Sequence, residues 1–572
     1  MNLDPITTEV VLNRLREAAA AMAHALFHSG YSPILRESQD GTAGLTLADG
    51  RVIVVGGGIQ YHSLLYSRAV RAVVARYPLD TMRPGDSFIC NDPYKVGNSH
   101  VPDFVVMTPC FYQGAIVAFG VSVAHKADVG GIVPGSSGAA AREIFHDGIL
   151  IPPVRYFTEA GVNAEVEAIL RNNSRVPEAV IGDLRGQVGS TRLGAQRFAA
   201  LADEYGLDVI RAAVETLLAN TKRRVQAEIA SWKDGEAEGF FFLDHDGTGD
   251  NKRVRIHVKA TKRGDKLTLD FSGTDPQGKG PINVPLPTSE AVSCIAVLAA
   301  TDPTISMNTG VREAVEFVIP EGTVANPRWP ATVNHYFPTA HMIYSAVLSA
   351  LGKLNPARAV APSGFGTGAI AIGYAKARTG KAAVQYELMN CGLGGTATHD
   401  GTAIVMPINH FTPSTPVEIV ETEYPIMVKR FDIWPDSAGA GKQRGGVGYT
   451  REYQMLMPTM LTARTSNHRE GASGLNGGKG PPVARTIIDM GSPNEIALGA
   501  IETRQVAAGS TVRLDQSGGG GYGDPLERAA ELVAQDVADG YVTREAAARD
   551  YGVVLAADGA VDEKATSLRR RR

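Results

Sequence analysis

Two apolar runs held apart by a three-residue turn constrain this chain more than any other feature. Asp103 to Phe111 (DFVVMTPCF) and Ala115 to Ala124 (AIVAFGVSVA) flank Tyr112-Gln113-Gly114. Each run has the composition of a buried strand, and so short a connection makes the two antiparallel neighbours. A parallel pair would need a crossover of about a dozen residues or more. With a two-residue turn at Gln113-Gly114, Tyr112 pairs with Ala115, Pro102 faces His125 and Asp103 faces Ala124. Paired side chains lie ~5 Å apart and diagonal ones ~7–8 Å. Two HxxD units, His100-Val101-Pro102-Asp103 and His125-Lys126-Ala127-Asp128, therefore meet at one end of one hairpin. Two imidazoles and a carboxylate within that radius can bind Zn²⁺ or Mn²⁺ and leave positions open for water and substrate. The plainer alternative is that these histidines cap strand ends and hydrogen-bond loop carbonyls.

Around the hairpin the chain alternates helical and strand patterns. Asp4 caps a first helix that starts at Pro5 and stops at Gly30, with Val11, Leu15, Ala18, Met22 and Leu26 on one face. Gly44 to Val55 reads as two short strands turned at Asp49-Gly50, and Ser63 to Tyr77 as a second helix. The loop from His125 to Gly138 is glycine-rich and too long to be idle in a compact domain. Helical periodicity fills Glu165 to Trp232, broken near Pro177 and at Gly206. Strands follow at Val254 to Val258, Lys266 to Phe271 and Thr511 to Leu514, and short helices end the chain. The expected fold class is mixed α/β: a large multi-lobed body with antiparallel hairpins and a helical segment, and no Rossmann or P-loop fold. Four segments are expected: 1–160 with the hairpin, 161–235 mainly helical, 236–525 mixed α/β, and 526–572 a helical tail.

Composition narrows the partners. With 56 basic and 60 acidic residues the net charge is −4, which disfavours nucleic acid because phosphate binding needs a concentrated basic surface. The one dense basic run, Arg569 to Arg572, reads as a frayed tail. Four cysteines without CxxC spacing fit a reduced, cytoplasmic chain, and no apolar stretch approaches the ~18 residues of a membrane span. The N-terminus MNLDPITTEV lacks the basic start and apolar run of a signal peptide.

Nucleotide motifs are missing. There is no GxxxxGK[ST], and the GxGxxG string at Gly518 to Gly523 has only about fifty residues after it, too few for a dinucleotide-binding half, so a tight connection is expected there. Other candidates stand alone: Asp40, ahead of a strand, as a further carboxylate or a turn residue, and His62, just before the second helix. His146, His245 and His399 each open a His-Asp-Gly turn, while His335, His341 and His410 cannot be placed by spacing.

The run GDSFICNDPYKVGNSHVPDFVVMTPCF followed by AHKADVGGIVPGS resembles the hydantoinase B/oxoprolinase family. The likeness extends from DPITTEVVLNRL through FSGTDPQGKGPINVPL to SGGGGYGDPLERAAELVAQDVADGYVTREAAARDYGVVL. The resemblance implies an enzyme subunit that acts beside a hydantoinase A-type ATP-binding subunit in a hetero-oligomer. There the partner uses ATP and Mg²⁺ to phosphorylate a carbonyl or amide oxygen, and this subunit completes the reaction at a divalent metal. It carries metal ligation to His100, Asp103 and His125, with Asp40 as a further candidate. Where many hydrolytic members read His-His-Ala-Asp, this chain has His125-Lys126-Ala127-Asp128, so Lys126 is expected either to hold a phosphate or carboxylate near the metal or to reach solvent. Asp128 is expected to act as general base or to orient a metal-bound histidine. The implied activity is ATP-dependent opening of a cyclic amide (hydantoin, lactam or oxoproline-like ring), with a ketone-carboxylase subunit and a non-catalytic assembly subunit as alternatives.

Overall fold

The computed structural model describes residues 4–365, 368–376, 380–405, 407–408 and 412–571; His410 and Arg572 lie outside them. The first helix, Pro5–His28, starts where the sequence places it, with the Asp4 carboxylate accepting from the Thr7 N–H. The predicted helical stretch resolves into Ala164–Asn172, Pro177–Tyr205 and Leu207–Ala230, divided at the expected proline and glycine.

The sheet that carries the hairpin has seven strands: β1 (Gly41–Leu47), β2 (Val52–Gly56), β3 (Ser87–Cys90), β4 (Asp103–Tyr112), β5 (Ala115–His125), β6 (Val154–Thr158) and β7 (Gly161–Val162). Their order across the sheet is β2-β1-β5-β4-β3-β6-β7. Among the described residues three further sheets of four, four and five strands belong to the mixed α/β body. Alternation of side chains along β4 and β5 gives this sheet two distinct faces. On one face Val105, Met107, Val121 and Val123 pack with Tyr66, Ala69 and Val70 of the Ser63–Arg76 helix. On the other, Ala118 and Ala124 join the core beneath the Pro5–His28 helix.

Two expectations are corrected here. The hairpin turns at Gln113-Gly114 as predicted, both with positive φ (49° and 80°), but the register slips by one at a bulge between Cys110 and Phe111. Phe111 pairs with Ile116 and Cys110 with Ala118, so Val117 is the extra residue and Asp103 faces His125, not Ala124. A bulge adds one residue to one strand, and the turn alone does not encode it. The basic tail is docked: Arg569 and Arg570 belong to a helix, Glu563–Arg570, and donate to the carbonyls of Ala548, Tyr551 and Arg528. Gly518 to Gly523 is a buried connection pressed against neighbouring backbone, where a Cβ on Gly519 would lie 2.0 Å from the Leu393 carbonyl oxygen. Among the described residues no helix is long and apolar enough to cross a membrane.

Candidate metal centre

The bulge sets the geometry of the site. It puts Asp103 at the start of β4 directly opposite His125 at the end of β5. β1 pairs with β5 through Gly41 and Ala124, so one step further Asp40 lies beside His125, whose N–H donates to the Asp40 carbonyl at 3.1 Å. Asp40, His125 and Asp103 thus form a row across three strands, on the face covered by the Ser63–Arg76 helix. A turn ahead of β4, closed by the Asp103 N–H on the His100 carbonyl at 3.2 Å, folds His100 back over this row. His62 enters from the residue before the covering helix, its Nε2 3.5 Å from Asp103 Oδ2. One ligand atom from each of His100, Asp103 and His125 lies within 4.8 Å of the others. Asp40 lines the same cavity, alongside His100 and His125 but outside that compact triad.

The hydrogen bonds within the cluster do not close on themselves. His100 Nδ1 lies 3.2 Å from the Asn334 carbonyl oxygen, which only accepts, so Nδ1 carries the proton. His100 Nε2 then faces Asp103 Oδ1 at 3.0 Å and His125 Nδ1 at 3.2 Å. Two acceptors at that distance share either the Nδ1–H of His125, which lies 3.3 Å from Asp103 Oδ1 as well, or a metal ion. Both ring nitrogens of His62, Asp103 Oδ2 and His125 Nε2 are buried without hydrogen-bond partners. Unsatisfied buried polar groups are rare and costly. A set of imidazole nitrogens and carboxylate oxygens in this state fits a divalent cation.

Burial sets the protonation states around the cluster. It lowers His62 and His125 to about 4, so both imidazoles are neutral and their lone pairs free near pH 7. Burial alone would raise Asp103, but its interactions with His100, His125 and His62 hold its carboxyl well below the usual range. Asp40 goes the other way: burial and the Asp103 charge hold it well above the usual range, against the pull of Lys126 and Arg464. Two neighbouring carboxyls are thus shifted in opposite directions, the pattern that separates chemical roles.

Lys126 and Asp128 do not join this group. Lys126 follows His125 and points to the opposite face of the sheet, where its ammonium donates to the Ala124 carbonyl at 3.1 Å and Gln187 Oε1 at 2.7 Å. It is 0 % exposed, so it does not reach solvent, and its donors face the Pro177–Tyr205 helix instead of the cavity. Asp128 is also buried, and its carboxylate accepts from the N–H groups of Gly130, Gly135 and Arg175 and from the Arg175 guanidinium. It organises the glycine loop, and these bonds do not involve His125, nor does Asp128 line the cavity.

Sequence reasoning missed the opposite wall. Tyr61 and Tyr336 share a hydroxyl–hydroxyl hydrogen bond of 2.6 Å. The Tyr386 ring lies tilted by 42° over that of His125, with centroids 4.4 Å apart. The Arg464 guanidinium donates to Ser137 Oγ at 2.8 Å, and to the Tyr386 hydroxyl and the Asn334 carbonyl. His335, unplaced by spacing, lies behind them with Nε2 3.2 Å from the Ser137 carbonyl. The Tyr61-His62 and Asn334-His335-Tyr336 neighbours were the only signals in the sequence, and neither has a spacing that marks a site. The cavity these groups enclose measures about 20 Å³, little more than the ~10–15 Å³ that admits one water.

Comparison with known proteins places this geometry in context. A family model described as Hydantoinase B/oxoprolinase matches residues 4–525. A chain named as a D-/L-hydantoinase subunit of the B type, from Pseudomonas sp. strain NS671, is 31% identical, with 99% of this chain and 98% of that one aligned. The crystal structure of an ATP-dependent caprolactamase from Pseudomonas jessenii superposes with a TM-score of 0.90 at 27% identity, covering 100% of both chains. A nucleotide-free acetone carboxylase chain shares the fold, with a TM-score of 0.90 at 21% identity over 99% of this chain and 82% of that one.

Proposed function

The chain belongs to the hydantoinase B/oxoprolinase family, and we propose that within it this is the metal-bearing subunit of an ATP-dependent cyclic-amide hydrolase. Its substrate would be a hydantoin, lactam or oxoproline-like ring phosphorylated by a separate A-type subunit. The observation that carries the reading is the compact triad of His100, Asp103 and His125, whose buried Asp103 Oδ2 and His125 Nε2 have no hydrogen-bond partner and would be satisfied by a cation. The sequence offers no phosphate-cradling motif, so a partner must supply the ATP chemistry. Phosphorylation of the amide oxygen removes the resonance that protects a cyclic amide, so water can add to the carbon; the C–N bond then breaks, the ring nitrogen leaves with a proton, and the acyl phosphate is hydrolysed to carboxylate and phosphate.

His100, Asp103 and His125 would hold Zn²⁺ or Mn²⁺, with Asp40 and His62 beside them. Bound there, the ion supplies Lewis acidity and a nucleophile at neutral pH. The protein's own groups do the rest. The Asn334 carbonyl fixes the His100 tautomer. Burial raises the Tyr61 and Tyr336 hydroxyls well above their ordinary value, so both keep their protons and can donate to a developing oxyanion or ring nitrogen. Tyr336, Phe337 and Tyr386 wall the cavity, and a ring enters only if that wall moves. Tyr386 also lines an open cavity of about 440 Å³ on its far side, which makes it the wall nearest a larger space.

The shared fold of acetone carboxylase motivates a second reading, in which a phosphorylated enol meets CO₂ at the same site. Reconstitution with an A-type subunit separates the two. ATP-dependent ring-opened product from lactams or hydantoins supports the hydrolase, and ATP- and bicarbonate-dependent product from ketones replaces it with the carboxylase. Full activity with His100 and His125 both changed to Ala would reduce the chain to an assembly subunit.

A further inference from the structure

Arg464 closes a strand, Thr459–Arg464, that belongs to a different sheet from the metal cluster. Its side chain nevertheless lines the same cavity as Asp40, His100 and His125, and the residue is 2 % exposed. Every acceptor it meets is neutral: Ser137 Oγ, the Tyr386 hydroxyl and the Asn334 carbonyl. The other deeply buried arginines are neutralised. Arg451 pairs with Glu387 at 3.0 Å, Arg444 with Asp536 at 3.2 Å, and Arg528 with both Asp400 and Asp536 at 2.7 and 2.8 Å. Among the described residues no carboxylate lies within 4.0 Å of the Arg464 guanidinium. Asp40 and Asp147 feel its charge only from further away; a buried cation with no carboxylate in contact is expensive, and one kept beside a cavity suits an arriving anion.

We propose that Arg464 is the oxyanion-holding residue of this site and that the anion it takes is the phosphoryl group of the activated substrate. This rests on the hydrolase reading above and names the group within the substrate that the site recognises. A guanidinium offers a planar fork that matches phosphoryl oxygens bidentately. Its position is fixed by the Asn334 carbonyl, the same atom that fixes His100, so the anion site and the metal ligands are held in one frame. The first turn of the Tyr336–Leu354 helix lines the same cavity and adds the partial positive charge of a helix N-terminus. The Tyr386 hydroxyl now occupies one guanidinium N–H. An arriving phosphoryl oxygen would replace it, which couples anion binding to displacement of the tyrosine wall.

The test uses inorganic phosphate as probe on the purified full-length chain, by titration calorimetry, so it does not depend on turnover. The wild-type chain should bind phosphate more tightly than acetate, and Arg464→Gln should weaken phosphate binding by about tenfold or more with unchanged metal uptake. Arg464→Lys, which keeps the charge but loses the fork, should fall between them and carries the test if the glutamine variant misfolds. In the reconstituted complex both variants should hydrolyse ATP with less ring-opened product per ATP. Equal phosphate affinity in wild type and variants, no phosphate binding by wild type, or acetate bound as tightly as phosphate would each overturn the assignment. Failure of the hydrolase reading has a different signature: no ATP-dependent ring opening by the wild-type complex, whatever the phosphate titration shows.

Discussion

Two clusters of buried charge in this molecule are built to opposite ends. In the C-terminal cluster Arg528 donates to both oxygens of Asp400 and to Asp536, while Arg444 reaches the other oxygen of Asp536. The Arg444 backbone N–H adds a bond to Asp400, and none of the four side chains leaves a buried atom unpartnered. At the hairpin, His62, Asp103 and His125 leave four such atoms among them, and two acceptors face each other across 3.0 Å. Both sites pay for burying charge, yet only the first recovers the cost from within the chain. Saturated polarity fastens one segment to another. Unsaturated polarity waits for something that arrives later, and that difference separates a structural cluster from a functional one more sharply than residue type does.

The contrast predicts which variants lose activity and which lose stability. The largest effect is expected at the hairpin. His125→Ala should lose the bound divalent ion and product formation together, the latter by about 10³-fold, because several kcal/mol of Lewis-acid stabilisation go with the metal. Metal content and turnover measured on the same preparation check this, and a variant that keeps both would remove His125 from the ligand set.

Arg528→Leu tests the other side. It takes the guanidinium from half-buried Asp400 and leaves buried Asp536 with Arg444 alone, and breaking a buried pair of this kind costs about 3 kcal/mol. Denaturant unfolding should show that loss, while metal content stays at the wild-type level. A change in metal content equal to that of His125→Ala would erase the distinction between the two clusters.

Asp128 is a residue on which the two kinds of cluster can be told apart directly. Its carboxylate is saturated by Gly130, Gly135 and Arg175, so it resembles the C-terminal cluster although it lies three residues from His125. Asp128→Asn should cost about 1–3 kcal/mol, the usual consequence of spoiling a buried hydrogen-bond set, with metal retained. If turnover instead falls by ~10²–10⁴ at unchanged stability, Asp128 handles protons and the general-base role stands.

The same distinction explains what was legible in the sequence. Elements whose cause is local were readable: the Asp4-Pro5 helix start, the breaks at Pro177 and Gly206, the turn at Gln113-Gly114. The strand Gly235–Leu243 went unread, because in GEAEGFFFL polar alternation gives way to a run of three phenylalanines. His100, Asp103 and His125 were legible because one hairpin brings them together. Their register was wrong by one, since Val117 is an ordinary apolar residue with nothing to mark it as the bulge. Tyr336, Tyr386 and Arg464 were invisible: they reach the cavity from a helix start and two strands more than 200 residues further along. Whether a polar group is satisfied depends on such distant partners, so the sequence does not separate Lys126 and Asp128, whose polar atoms are satisfied within the fold, from neighbours whose atoms are not.

Lys126 gives the smallest expected effect at neutral pH and the finest test. Burial lowers it from 10.5 to about 8. Below about pH 8 both the folded and unfolded chains hold the proton, and the cost of burying the charge is fully present. Between about 8 and 10.5 the unfolded chain keeps the proton that the folded chain has released. The unfolded state then binds more protons, so this group makes the protein more stable as pH rises through that window. Lys126→Met removes the buried charge and with it this contribution, at the expense of leaving Gln187 Oε1 short of a donor. At pH 7 the variant should be about as stable as wild type, and its stability should lack the rise that unfolding measurements on wild type show above pH 8. Product formation should change little, because the ammonium faces the Pro177–Tyr205 helix. A loss of turnover with an unaltered stability profile would put Lys126 back beside the substrate and show that saturation inside the fold does not exclude a part in the chemistry.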